Sequence, residues 1–342
     1  MKRVLALVLA ALLLTGCSAP ASVQDTTRQY TATFLTLFDT VTTIIGRAET
    51  EEDFKAVSQA IHDDLQYYHE RFDIYNDYDG VSNIKTINDN AGIAPVKVDK
   101  VIIDLLKDCK RYYELTGGKV NIAMGSVLHL WHEARNDGIN DPANAKLPPM
   151  EALQEAAGHC SFDHVIIDEE ASTVYLEDPR MRLDVGAVAK GWATQKTAEK
   201  APEGVLISVG GNVCSTGSKL SDGTPWVIGI QDPDAADKNL HTVYVTKTSV
   251  VTSGDYQRTY WVEGTPYHHI IDPDTLMPAV YWRSVSIICS DSGLADALST
   301  ALFLMDREAG SALAKQCGAE VLWVTADGSE YMTDGLKEML RT

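Results

Sequence analysis

The sequence predicts an α+β fold, mainly antiparallel sheets with helices packed on them, forming one compact domain. Three observations carry this. From Phe162 onward, short apolar runs such as "HVIIDEEASTVYLEDP", "VLISVGGNV", "WVIGIQDP", "HTVYVTKTSVVTSGDY" and "RSVSIICS" alternate with turn residues, as strands joined by hairpin-length connections do. Two stretches with helical spacing, near 186–200 and 294–305, interrupt those runs. Hydrophobic residues make up 45% and charged residues 23% of 342 residues, which supplies a full-sized core and excludes disorder over most of the length. Length alone would also allow two domains of ordinary size.

Taken in order, residues 1–16 read as a secretory signal: Lys2 and Arg3, then an apolar run from Val4 to Leu14 that is too short for an ordinary membrane span. Thr15 and Gly16 before Cys17 resemble the bacterial lipobox. That resemblance implies cleavage and lipidation at Cys17, and a lipid-anchored protein on the extracytoplasmic face of the bacterial cell membrane. The alternative is an ordinary signal with a chance cysteine. Residues 17–30 are small and polar and read as a tether, which leaves 31–342 as the folded domain.

Within that domain, "TLFDTVTTIIG" alternates and is β-branched, so it reads as a strand, and Thr50 to Arg71 reads as a helix. "VDKVIIDLLKDCKRYYELTGG" reads as a second helix, stopped by Gly117 and Gly118. Residues 136–149 read as loop, with a helix from about Met150.

The formal net charge is -19, and losing Lys2 and Arg3 with the signal takes it to about -21. Such a surface repels phosphate backbones, so nucleic acid is excluded as a partner and a polyphosphate ligand requires a cation. Cys109, Cys160, Cys214, Cys289 and Cys317 show no C-x-x-C spacing, which indicates neither a disulfide framework nor a zinc cluster.

Four clusters hold residues capable of chemistry. In "RLDVGAVAKGWATQK", Asp184 ends an apolar run, Gly186 allows close backbone approach, and Lys190 lies about one turn into the next helix; a phosphate fits there, and so does a plain helix cap. In "SVGGNVCSTG", Gly210 and Gly211 precede Asn212, a pattern that also marks a simple turn. "VVTSGDYQRTYWVEG" carries Thr252, Ser253 and Asp255, and a hairpin from Tyr260 to Tyr267 then delivers His268 and His269. Strand alternation would send those two histidines to opposite faces, which disfavours a two-histidine metal site. In "SDSGLADALSTALFLMD", Asp296 and Thr300 are four apart, so a carboxylate and a hydroxyl share one helix face and suit a hard cation such as Mg2+. The plainer reading is a dipole-favoured Asp and a Thr bonded back to its own helix.

In this order, "FDTVTTI", "GGKVNIAMGSVLHLW", "LDVGAVAKGWA", "ISVGGN", "TSGDYQRTYWVEGTPYHHIIDPDT" and "ADALSTALFLM" closely resemble the ApbE family of FAD:protein FMN transferases, from about Thr36 to about Met305. The resemblance implies a T-fold-like catalytic domain that uses Mg2+ and FAD as substrate, releases AMP, and joins FMN to a Thr or Ser hydroxyl of an acceptor protein. An Rnf- or Nqr-type electron-transport subunit is the kind of acceptor it implies. It makes His269 the general base and His268 structural. It places the metal on Asp296, Thr300 and backbone oxygens near Ala187 and Gly293. It assigns FAD contacts to Phe38, Tyr75, Lys119, Val120, Asn121, Asp184 and Lys190, with Ile270 or Ile271 also lining the pocket. Asn121 and Asn212 stand where Asp is common in the family, and "DTLMP" replaces a "DTGxP" turn. Two other outcomes fit the same residues less fully: a metal-dependent FAD pyrophosphatase yielding FMN and AMP, and a lipoprotein that only binds flavin. A zinc hydrolase is disfavoured by the histidine spacing.

Overall fold

The computed structural model describes residues 27–341; the signal, Cys17 and the tether up to residue 26 lie outside them. The elements in chain order are β1 (Arg28–Phe34), β2 (Thr42–Ala48), α1 (Glu51–Phe72), α2 (Ile84–Asp89), β3 (Val96–Lys97), α3 (Lys100–Leu115), α4 (Gly125–Asn140) and α5 (Met150–Ala157). They continue with β4 (Val165–Asp168), β5 (Thr173–Leu176), α6 (Ala189–Ala198), β6 (Leu206–Val209), β7 (Asn212–Ser215), β8 (Trp226–Asp232), β9 (Ala235–Val245) and β10 (Ser249–Gly254). The rest are β11 (Tyr260–Val262), β12 (Thr265–Tyr267), β13 (Ser284–Cys289), α7 (Ser292–Phe303), α8 (Arg307–Cys317), β14 (Glu320–Val324), β15 (Glu330–Met332) and α9 (Asp334–Met339).

The main sheet has eight strands in the order β1-β2-β6-β7-β10-β13-β14-β15, antiparallel throughout. Both of its faces are covered. Ile207, Val251, Ile287 and Val321 face a core shared with α1, α6 and α7, whereas their neighbours Leu206, Val250, Ile288 and Leu322 face one closed by the β8–β9 hairpin and α9. That double burial explains why "SVSIIC" reads as an unbroken apolar run: all six residues of β13 are buried. A third cluster, Val127, Trp131, Leu153, Tyr260 and Leu276, packs α4 and α5 against the β11–β12 hairpin.

Helix α7 runs through the centre of the molecule and buries ten of its residues. Its N-terminus is capped by Asp291, whose carboxylate accepts from Leu294 N at 2.9 Å, so the capping carboxylate is not Asp296. Helix α1 is capped by Thr50 and runs one residue past the predicted end. Helix α3 ends at Leu115, followed by Gly117 and Gly118 at φ of 61° and 87°.

Three expectations are corrected. The tether is shorter than read, because β1 begins at Arg28. The strand read over "TLFDTVTTIIG" starts only at Thr42; Leu37–Asp39 form a 3-10 turn, with Phe38 and Asp39 at φ of 53° and 52°. The loop read from residue 136 is helical as far as Asn140, because Tyr260 packs over Gly138, where a Cβ would lie 2.7 Å from its ring.

Candidate active site

Helices α6 and α7 cross where neither carries a bulky side chain. At Gly191, the third residue of α6, an added Cβ would lie 2.3 Å from the Ser292 carbonyl oxygen and 2.4 Å from Asp296 Cβ. The close approach lets Gly191 N–H donate to Asp296 Oδ2 at 2.8 Å. Asp296 is buried, and desolvation pushes its carboxyl above the usual carboxylate range, against the opposing pull of Lys190 and the Gly191 N–H. Lys190 Nζ stands 3.9 Å from Asp296 Oδ2. It is the second residue of α6, nearer the helix start than the sequence reading placed it.

Asn212 comes from the first position of β7. Its Oδ1 accepts from Ser292 Oγ at 2.7 Å, while Nδ2 is buried without a hydrogen-bond partner. One turn beyond Asp296, Thr300 is half-buried, and among the described residues its hydroxyl makes no bond back to the helix.

These groups open on a cavity of about 330 Å³ between the main sheet, α6–α7 and the segments 38–40, 119–124, 184–187 and 269–271. His269 lies on its wall, just beyond the end of β12. Its Nδ1–H donates to Gln257 O at 3.2 Å, which selects the tautomer whose Nε2 lone pair is free to take a proton. Desolvation chiefly, helped by the charges of Arg258, His268 and Lys190, lowers its pKa to about 3, so the ring is a neutral base at physiological pH. The ring keeps some contact with solvent, so crowding at the cavity wall, not enclosure, removes its hydration.

His268 turns away from the cavity: its Nε2–H donates to Ala279 O at 2.9 Å and its ring meets Phe303 edge-on at 5.6 Å. The two histidines diverge as expected, but they do so in an irregular turn after β12 and not by alternation along a strand.

At the cavity mouth Tyr75 hydrogen-bonds His132 Nδ1 at 3.0 Å, and His132 Nε2 stands 3.9 Å from Asp184 Oδ2. Burial, reinforced by the Asp184 charge, pushes Tyr75 up to about 12; burial lowers His132 against the same carboxylate. Asp184 Oδ1 in turn accepts from Gly186 N at 2.9 Å, which fastens the 184–187 turn.

Against this geometry the comparisons with known proteins are consistent. The ApbE family model matches residues 35–323. An FAD:protein FMN transferase of Treponema pallidum is 35% identical over 279 residues, 76% of this chain and 75% of that protein. One from Klebsiella pneumoniae is 32% identical over 69% of this chain and 72% of its own length. The crystal structure of the ApbE protein of Thermotoga maritima superposes with a TM-score of 0.81 at 30% identity, over 92% of this chain and all of that one. The chain belongs to the ApbE family.

Most positions carried over from that family converge on the cavity: Phe38, Tyr75, Lys119, Val120 and Asn121 from one side, Asp184, Ala187 and Lys190 from the second, His269, Ile270, Ile271, Asp296 and Thr300 from the third. Gly293 does not. It is buried in the first turn of α7, where a Cβ would lie 3.1 Å from Tyr112 Oη and 3.3 Å from Trp192 Cα. Lys119 lines the cavity but spends its ammonium on Asp272 Oδ1 at 2.9 Å and Asp274 Oδ2 at 2.8 Å, strapping the "DPDT" turn to the 119–123 segment.

The departures from the ApbE pattern have local reasons. Asn121 donates from Nδ2 to Cys160 O at 2.9 Å and accepts from Ala123 N at Oδ1, a pairing a carboxylate cannot make. Leu276 holds the left-handed turn of "DTLMP" at φ of 60°; its strain is offset by burial beside Trp131, whose indole N–H donates to Leu276 O at 3.0 Å.

Sequence reasoning missed His132, His69 and Arg258. His132 went unseen because α4 was not read as a helix.

The donor set fits a hard divalent cation. Asp296 offers Oδ1 without a hydrogen-bond partner among the described residues, and the Thr300 hydroxyl lies one turn along the same face. No group of three His, Cys, Asp or Glu side chains capable of holding a metal occurs among the described residues. A cation here would draw on one carboxylate and one hydroxyl, oxygen donors that suit Mg2+ better than zinc.

Proposed function

We propose that the protein transfers the FMN moiety of FAD to a threonine or serine hydroxyl of an acceptor protein and releases AMP. One observation carries the reading: a neutral base, His269, and a carboxylate–hydroxyl pair, the buried Asp296 and half-buried Thr300, line the same cavity. The relatives named as FAD:protein FMN transferases support it.

FAD would lie along the cavity with its flavin against Phe38, Tyr75 and the segment at Val120 and Asn121, and its pyrophosphate near the ammonium of Lys190 at the start of α6. Mg2+ held by Asp296 and Thr300 would supply neutralisation of the pyrophosphate and of charge developing toward AMP. Lys190 adds a cation on the same side. The acceptor hydroxyl forms the new O–P bond to the FMN phosphate, the bond from that phosphorus to the bridging oxygen breaks, and the oxygen leaves with AMP. The hydroxyl proton passes to His269 Nε2, which the Gln257 carbonyl holds ready through Nδ1.

In a chain this acidic, cation and lysine together make the site tolerable to a dinucleotide. The N-terminal signal and Cys17 support a lipid-anchored enzyme on the extracytoplasmic face of the membrane, acting on an electron-transport subunit of Rnf or Nqr type.

The test is to incubate the protein with FAD, Mg2+ and a candidate acceptor and weigh the acceptor by mass spectrometry. An added FMN is expected. Free FMN with AMP instead marks a pyrophosphatase, and unchanged FAD marks a flavin carrier.

A further inference from the structure

Two arginines stand beside the proposed base without an ion-pair partner among the described residues. Arg135 projects from α4 and Arg258 from the loop between β10 and β11, and both line a small pocket that adjoins the main cavity and shares His132, Arg258 and His269 with it. Among the described residues neither guanidinium makes an ion pair or a hydrogen bond. Elsewhere cations are matched: Lys85, Lys107, Lys119, Arg180 and Arg283 each sit against a carboxylate.

The arginines are close enough to repel. Arg135 is half-buried, and desolvation together with the Arg258 charge lowers its pKa. Asp184 and Tyr75 are the acidic groups that attract it, while His132 faces it from its own helix. Arg258 is held at φ of 47°, next to the residue whose carbonyl orients His269. A chain at -19 could cheaply supply a paired carboxylate here, yet no carboxylate hydrogen-bonds or ion-pairs with either guanidinium among the described residues.

We infer that Arg135 and Arg258 form a recognition site for a carboxylate of the acceptor protein, close in space to the hydroxyl that takes FMN. The inference rests on the transferase reading. Arg258 lines the main cavity as well as the adjoining pocket, whereas Arg135 lines the adjoining pocket alone. The acceptor is selected over a phosphate of FAD because an anion held by both must reach Arg135, outside the main cavity, while the pyrophosphate groups would lie toward Lys190 and Asp296. His269 lies between, lining both. A hydroxyl arriving at its Nε2 brings the neighbouring residues of its own chain past the arginine pair. The pair also has the surroundings of a protein contact, since Trp261 on β11 is 60% exposed and Ile139 on α4 is 57% exposed.

The probes are a short synthetic peptide with one threonine flanked by aspartates, its asparagine counterpart, and AMP. Binding is followed by fluorescence anisotropy with the peptides labelled, and transfer by mass spectrometry. The wild type is expected to bind the aspartate peptide about fivefold more tightly than the asparagine peptide, a preference that shrinks as salt is raised. Arg135→Gln is expected to bring the two affinities together, and Arg135→Lys to keep part of the difference should the glutamine variant fold poorly. Failure of the wild type to prefer the aspartate peptide, by equal binding or by none, overturns the inference. So does an Arg135→Gln loss of AMP affinity as large as its loss of peptide affinity, since the anion would then be phosphate. Preferential binding without any transfer would sink the transferase reading and leave this site standing; transfer without preference does the reverse.

Discussion

Gly191 and Asp296 touch across the α6–α7 crossing: the glycine N–H donates to the buried carboxylate at 2.8 Å, at a spot where a Cβ on residue 191 would lie 2.4 Å from Asp296 Cβ. The obstacle to any side chain is largely backbone, the Ser292 carbonyl at 2.3 Å, so it cannot swing aside. Gly191→Ala is expected to force the helices apart and cost about 2–3 kcal/mol in denaturant unfolding. Turnover should fall further than the stability loss explains, because Asp296 moves with α7.

Asp296 is a carboxylate that burial disfavours, and this fixes the direction of its effects. Its folded pKa is raised, so the folded state without metal holds the proton more tightly than the unfolded chain. The group's contribution to stability is therefore largest below the unfolded pKa and is lost as pH rises through the folded one. Asp296→Asn should leave the metal-free protein at least as stable as wild type at neutral pH. It should also abolish the rise in Tm that Mg2+ gives the wild type, and lower FMN transfer at least a hundredfold. A variant still stabilised by Mg2+ would remove Asp296 from the cation site.

The two histidines should separate cleanly in kinetics. His269→Ala removes the base and is expected to lower kcat by about 10²–10⁴ with little change in Tm. His268→Ala loses the bond to Ala279 O and the contact with Phe303, so it should cost about 1–2 kcal/mol of stability and leave turnover within a few fold. Because the His269 pKa is lowered to about 3, kcat/KM should show no fall from this group between about pH 5 and 8. The same shift means that stability falls with acidification from the ordinary histidine pKa down toward 3, as the unfolded chain gains a proton that the folded one refuses. A bell-shaped profile with an acid limb near 6.5 that vanishes in His269→Ala would contradict this assignment.

What the sequence made legible follows from which interactions are local. The strands of the main sheet stood out because both faces are covered, and Asp296 with Thr300 stood out because four residues make one helical turn. Strand β1 was hidden by its edge position: "RQYTATF" is polar and only half-buried, which matches a tether in composition. Helix α4 was hidden at "RNDG", where loop-forming residues stay helical because Tyr260 covers Gly138. The close packing of Gly293 in α7 on Tyr112 and Trp192 is tertiary, and spacing along a chain does not encode it.

Lys119 offers a test of how the "DPDT" turn is held. Its ammonium bridges Asp272, which is 7% exposed, and Asp274, and the two bonds keep its pKa above the ordinary lysine value despite partial burial. Lys119→Met would leave Asp272 buried without its cation and is expected to cost about 2–3 kcal/mol. The turn that follows Ile270 and Ile271 should loosen, raising KM for FAD more than it lowers kcat.

The opposite rim of the cavity depends on a hydrogen-bond chain. Phe38 and Asp39 hold a left-handed backbone that only a surrounding structure can impose on such residues, and Phe38 N–H donates to His69 Nδ1 at 3.2 Å. Tyr78 donates to Asp73 Oδ2 at 2.8 Å and lies 3.2 Å from His69 Nε2, so the imidazole must place its proton on Nε2 and its lone pair toward Phe38. Burial and Asp73 both push the Tyr78 hydroxyl upward in pKa, which keeps it a donor. His69→Ala deletes the acceptor, and the strained 38–39 turn should relax out of the position from which Phe38 faces the cavity. The expected outcome is a loss of about 1 kcal/mol in stability and a several-fold weakening of FAD binding, read by quenching of flavin fluorescence. Tyr78→Phe should show the same pattern at smaller amplitude, since His69 then keeps its place but loses the group that selects its tautomer. Unchanged FAD affinity in His69→Ala would show that the rim needs no such support.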